Sequence, residues 1–223
     1  MIKKDIQLKS IVIVLVGDST VANYAAENEL RGWGQIMPEF FHDNIVIKNF
    51  AKSGRSSKSF IKEGLWDKAI ETKPDYVMIQ FGHNDCPDKG ERTTDPNSDY
   101  QKYLLKYIKD CRKSGDQPIL VTPVERRNFD DRGKVNQTLF QYSLAMKKVG
   151  KRENVPVIDL HYKSVELYEL SGENGYSYMN PTSQTDRTHF TKDGARTITK
   201  MVVTEVNRKV PSLKRYLKKN KSK

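Results

Sequence analysis

Cysteine is nearly missing from this 223-residue chain, which holds only Cys86 and Cys111. Two cysteines so far apart make no disulfide framework. Cys111 shares a helical stripe with Leu104 and Ile108 and is expected to be a buried apolar residue. Cys86, two residues after Asn84, is placed where it can line a site. The four histidines are scattered, and no spacing of His and Cys suits a metal, so neither metal nor cofactor is expected. The chain has no G-x-G-x-x-G and no P-loop, which leaves nucleotide binding without support. It has no G-x-S-x-G, which counts against a standard α/β-hydrolase. No apolar run is long enough to span a membrane, and a membrane partner is not expected. Internal repeats, linkers and low-complexity tracts are also absent, apart from a basic tail.

Acidic residues are outnumbered, 28 Asp and Glu against 39 Lys and Arg, for a net charge of +11. That excess favours an acidic partner. A nucleic-acid-binding module would fit the charge, but no recognised motif or aromatic stripe supports it, so nucleic acid is not expected. The densest cluster runs from Lys214 to Lys223. It reads as a solvated terminus, giving a domain of residues 1–212 and a basic tail of residues 213–223. Lys3, Lys4 and Lys9 before an apolar stretch imitate a signal peptide. The stretch nevertheless runs into Gly17-Asp18-Ser19 with no small-residue cleavage site, so it is read as structural. A cytoplasmic protein is the default expectation, or a secreted one if a leader precedes this sequence. The oligomeric state stays open.

What is present is an alternation of short apolar runs and helical patterns. Strands are predicted at Ile11 to Val16, Ile45 to Phe50, Tyr76 to Phe81, Ile119 to Thr122 and Val155 to Leu160. Each is nearly continuously apolar or β-branched, as a sheet buried on both faces requires. Helices are predicted around Ile36 to Phe41, Leu65 to Glu71, Tyr100 to Lys113, Val135 to Lys151 and Lys192 to Arg208. Thr191 is the N-cap of the last. Five βα units predict a single-domain, three-layer α/β/α fold around a five-stranded parallel sheet.

This order places the unusual residues. Ser19 follows the first strand, Gly54 the second, Asn84 the third, and Thr122-Pro123-Val124-Glu125-Arg126-Arg127 the fourth. All fall at the carboxyl edge of the sheet, where open α/β sheets place their chemistry. Asp186 and His189 precede the last helix. A serine hydroxyl needs a base within hydrogen-bond reach, and the base needs an orienting partner. His189 is the preferred base, with Asp186 three residues away as its acid. His161, close to Asp159, is a rival base, and His42 reads as a surface turn. Gly-Asp-Ser and D-x-x-H are each common in solvated turns. Their placement together is what points to acyl transfer. The oxyanion needs convergent donors: the Ser19 N–H, the Gly54 N–H and the Asn84 amide. His83 sits beside Asn84. With Arg55, Arg126 and Arg127 it is a candidate substrate contact, the arginines pairing with carboxylates or simply making surface salt bridges.

Four blocks in order resemble the SGNH (GDSL-like) hydrolase superfamily: Gly17-Asp18-Ser19, Asn49 to Ser56 around Gly54, Gly82-His83-Asn84-Asp85, and Asp186-Arg187-Thr188-His189. Thr20 replaces the leucine of the older motif name. Further features, including Gly32-Trp33-Gly34 and Thr122-Pro123-Val124, are similar to the rhamnogalacturonan acetylesterase branch of that superfamily. The resemblance implies a flavodoxin-like SGNH fold and a cofactor-free serine esterase with Ser19, Asp186 and His189 as catalytic residues. It implies an acetylated, acidic oligosaccharide or polysaccharide as substrate. Acetylxylan and acyl lipids (lysophospholipase or thioesterase activity) are the alternatives. The polar segments Asp88 to Asp99 and Asn128 to Lys134 argue for a sugar over an acyl tail. The rate is expected to fall below roughly pH 6.5, where an ordinary imidazole takes up a proton.

Overall fold

The structure, a computed structural model, describes residues 10–183 and 185–218. Lys3, Lys4, Lys9 and the basic residues from 219 to 223 lie outside the described residues. In chain order the elements are β1 (Ile11–Gly17), α1 (Trp33–Ile36), β2 (Ile45–Asn49), α2 (Ser57–Lys62), α3 (Leu65–Ile70), β3 (Tyr76–Gln80), α4 (Asp99–Ser114), β4 (Gln117–Val121), α5 (Phe140–Arg152), β5 (Val157–Ile158), α6 (Leu160–Ser171), α7 (Lys192–Lys209) and α8 (Pro211–Lys214).

The five strands form one parallel sheet in the order β2-β1-β3-β4-β5. Alternate residues of β1 serve opposite faces. Ile13 and Leu15 join a core with Trp33, Ile198 and Val202, while Val14 and Val16 join one with Phe60, Trp66, Tyr107 and Met146. Helices α1 and α7 therefore cover one face, and α2 to α5 the other. Strand order reverses at β1, which lies between β2 and β3. Open α/β sheets place their sites at such a switch point, outside the carboxyl ends of the strands, and here that edge carries the segments with Ser19 and Asn84.

Several expectations are corrected. The helix predicted from Val135 starts at Phe140. Before it, Asp130 accepts the N–H groups of Arg132 and Lys134 and closes a tight turn. The last strand shrinks to two residues because Asp159 turns to cap α6, accepting the Tyr162 N–H. Helix α6 escapes the apolar pattern because its buried stripe includes His161 and Ser164. The basic tail is not solvated throughout. Leu213 and Tyr216 are fully buried, and Phe41 and Leu217 form an antiparallel bridge. Burying each side chain is worth about 2 kcal/mol, so the fold extends at least to Lys218. Cys86 and Cys111 are both buried thiols, so Cys86 packs into the core below Asn84 rather than lining an open site.

Candidate active site

The turn after β1 is built on a buried carboxylate. Asp18 Oδ1 accepts the Thr20 N–H at 2.9 Å and the Thr20 hydroxyl at 2.8 Å. Its Oδ2 meets His83 Nδ1 at 3.2 Å. Burial works to raise the Asp18 carboxyl, but His83 and Thr20 together hold it below the usual range. Gln80 links this turn to Trp33: its amide donates to the Thr20 hydroxyl at 2.6 Å and accepts the indole N–H at 2.9 Å. The network fixes Ser19, whose carbonyl also accepts the Tyr24 hydroxyl at 2.9 Å.

Ser19 Oγ lies 2.8 Å from His189 Nε2, and His189 Nδ1 lies 2.8 Å from Asp186 Oδ2. Asp186 Oδ1 accepts the backbone N–H groups of Thr188 and His189, each at 2.9 Å. Burial raises the Asp186 carboxyl, but these three donors outweigh it and hold the group below its ordinary value. Asp186 is thereby favoured as the ionised carboxylate. One carboxylate thus shapes the turn and orients the ring, which is why the two residues stand three apart.

Gly54 has φ of +80°, a left-handed conformation that favours glycine. Within the described residues its N–H donates no hydrogen bond, and neither does that of Ser19. The half-buried Asn84 follows Gly82, whose φ is +152° and where a Cβ would meet Pro123 at 2.7 Å. The Asn84 amide donates one N–H to the Arg55 carbonyl at 3.2 Å. Its other N–H remains for a ligand. Asp85 faces inward from the same turn. It accepts the Ser57 N–H and hydroxyl and the Thr94 hydroxyl. Complete burial nevertheless pushes its carboxyl up to about 7.

The other candidates separate. His161 is buried and pairs with Glu125 at 3.0 Å, away from Ser19. His83 is 4 % exposed and turned to Asp18, so it supports the serine turn and presents no ring to solvent. Arg127 is 1 % exposed. Its guanidinium donates to the His189 carbonyl at 2.5 Å and to Asn180 at 2.6 Å, and stacks on Phe190 at 4.7 Å. It anchors the histidine loop, and burial removes it from any substrate contact. Arg55 is half-exposed and bridged to Glu63 at 2.8 Å. Arg126 is half-buried and donates to the Thr138 hydroxyl and the His83 carbonyl. No carboxylate among the described residues pairs with its guanidinium. Arg92, whose guanidinium meets Gly54 and Asn84, and Tyr24, whose hydroxyl bonds the Ser19 carbonyl, belong to no motif and could not be singled out from sequence.

Comparison with known proteins agrees with this architecture. The pattern of the GDSL-like lipase/acylhydrolase family matches residues 13–202. The chain is 38% identical over 216 residues to the rhamnogalacturonan acetylesterase RhgT of Bacillus subtilis, covering 91% of this chain and 90% of that protein. It is also 38% identical over 195 residues to the probable rhamnogalacturonan acetylesterase YesY of the same organism, covering 85% and 89%. The crystal structure of Axe2, an acetylxylan esterase from Geobacillus stearothermophilus, superposes with a TM-score of 0.71. That match covers 89% of this chain and 94% of the other, and at 18% identity it speaks for the fold alone.

Proposed function

The chain belongs to the GDSL-like lipase/acylhydrolase family, and from that premise we propose that it is a serine esterase removing O-acetyl groups from rhamnogalacturonan-type oligosaccharides. The supporting observation is the unbroken line from Ser19 Oγ through the His189 ring to Asp186, with 2.8 Å at each joint. The Ser19 and Gly54 N–H groups, which donate no hydrogen bond among the described residues, and the second N–H of Asn84 lie in the three loops that follow β1, β2 and β3 at the carboxyl edge of the sheet.

The chemistry follows. His189 Nε2 takes the hydroxyl proton as Ser19 Oγ bonds to the acetyl carbonyl carbon. The carbonyl oxygen becomes an oxyanion that accepts the three N–H donors. Asp186 holds the Nδ1–H tautomer and stabilises the imidazolium. As the oxyanion collapses, the bond to the sugar oxygen breaks and the imidazolium returns its proton to that oxygen. Water, deprotonated by His189, then attacks the acetyl-enzyme. Acetate leaves and Ser19 Oγ regains its proton.

The acidic character of the substrate rests on charge. Arg126, without a carboxylate partner among the described residues, stands where the segment after β4 meets the His83 turn. A uronate is the acidic sugar it suits. The test is acetate release from acetylated rhamnogalacturonan and acetylated xylan, and fatty-acid release from a lysophospholipid, each with wild type and Ser19→Ala. Serine-dependent release from the pectic polymer alone is expected. Release only from xylan or lipid would keep the chemistry and overturn the substrate. Release that survives Ser19→Ala would overturn the mechanism.

A further inference from the structure

We propose that Arg92 is a positioning residue that sets the Asn84 amide toward the oxyanion; this rests on the acyl-transfer reading above. Arg92 closes a short 3-10 turn, Gly90–Arg92, in the polar loop after β3. That loop folds back on its own start. The Thr94 N–H donates to the Asp85 carbonyl at 2.9 Å, and the Thr93 hydroxyl to the Cys86 carbonyl at 3.0 Å. The ammonium of Lys58 in α2 ties the loop down, donating to the Thr93 carbonyl at 2.7 Å. Arg92 is thereby returned to a place beside Asn84, eight residues earlier in the chain.

There Nη1 of Arg92 donates to the Gly54 carbonyl at 2.9 Å and lies 3.4 Å from Asn84 Oδ1. A guanidinium carries donors only. The amide must therefore turn its oxygen toward Arg92 and its nitrogen away. One N–H of that nitrogen is committed to the Arg55 carbonyl. With both ends of the amide held, the second N–H is the one left to donate to the oxyanion. The same guanidinium nitrogen fixes the peptide that follows Gly54, so one atom ties together the two loops that carry Gly54 and Asn84. Its charge also polarises the amide through Oδ1, which strengthens the remaining N–H as a donor.

The test uses a small neutral acetyl ester, so that substrate charge plays no part. Arg92→Ala is expected to lower kcat by about 10- to 100-fold, the loss that a misplacement of order 1 Å can bring, with KM within about twofold. Guanidinium added at non-denaturing concentration should restore part of the lost rate, and Arg92→Lys should fall between the two. A boronic acid that forms a tetrahedral adduct with Ser19 should weaken in proportion to the kcat loss. Because Arg92 acts through Asn84, Arg92→Ala combined with Asn84→Ala should cost little more than Asn84→Ala alone. A normal Asn84→Ala deficit beside an unchanged Arg92→Ala kcat overturns the proposal and leaves the mechanism standing. Losses that multiply in full overturn it too. An Asn84→Ala variant with wild-type kcat overturns the oxyanion reading, and the proposal with it. Arg92→Ala that unfolds is judged on Arg92→Lys, where wild-type kcat and boronate affinity would again overturn it.

Discussion

Replacing Asp186 by asparagine changes one atom of a residue that does two jobs. In the wild type, Oδ1 accepts two backbone N–H groups at 2.9 Å and Oδ2 accepts the ring N–H at 2.8 Å. Asparagine has one acceptor oxygen. If that oxygen faces the backbone, both turn bonds survive, each worth about 1 kcal/mol. If it faces the ring, one bond survives and an NH₂ opposes two N–H donors. The first arrangement wins by at least about 2 kcal/mol. Its NH₂ then faces Nδ1, which must be the unprotonated ring nitrogen. The proton moves to Nε2, and the base can no longer accept from Ser19. The imidazolium also loses its carboxylate, worth about 4 kcal/mol for charges 4 Å apart in a partly screened site. The two losses reach about 6 kcal/mol, or about 10⁴ in kcat. Because the turn keeps its bonds, Tm should move by no more than a few degrees. The assay is initial-rate hydrolysis of a small acetyl ester beside a thermal melt. A kcat within tenfold of wild type at unchanged Tm would refute the reasoning, since something other than Asp186 would then hold the tautomer.

Three further expectations follow. Arg127→Met should cost about 3 kcal/mol from two charge-assisted bonds and lower kcat through the His189 loop; a denaturant titration with wild-type stability would remove the anchor role. Asp85 binds its proton more tightly in the folded state, with its carboxyl pushed up to about 7. Its stabilising contribution is full below pH 4 and is lost as pH rises toward 7. Asp85→Asn has no such titration, so Tm of wild type minus Tm of the variant should shrink between pH 5 and 7; a constant difference would sink the assignment. Arg126→Gln should raise KM on an acetylated acidic oligosaccharide and leave KM on a small neutral ester unchanged. Equal effects on both would remove the uronate role.

The sheet was readable in the sequence because β1 and β3 are buried on both faces and carry unbroken apolar runs. Strand order then brings Ser19, Gly54 and Asn84 to one edge without further information. Arg126 and Arg127 show where that kind of reading ends. Neighbours in an extended segment point to opposite sides. One guanidinium bonds the His83 carbonyl beside the Asn84 turn, while the other is swallowed by the loop around Phe190. Nothing in the pair Arg-Arg says which is which. Arg92 looked like one more charge in a polar loop, because its partners Gly54 and Asn84 become neighbours only once β2 and β3 are placed. In the tail, the Leu213 and Tyr216 spacing was a helical signal hidden inside a run of charge.

The serine and its base lie 170 residues apart in sequence. Among its described residues, the segment from Asn180 to Thr191 that carries the base contains no strand or helix. It is held by side-chain and loop contacts, above all the Arg127 clamp, while β1 is locked between two strands. Such a segment belongs to the low-stability end of a domain and can open while the sheet stays intact. Esterase activity then reports a local equilibrium. In a urea series, turnover should vanish before the helical signal does, and the gap between the two transitions measures how firmly one buried arginine closes the loop.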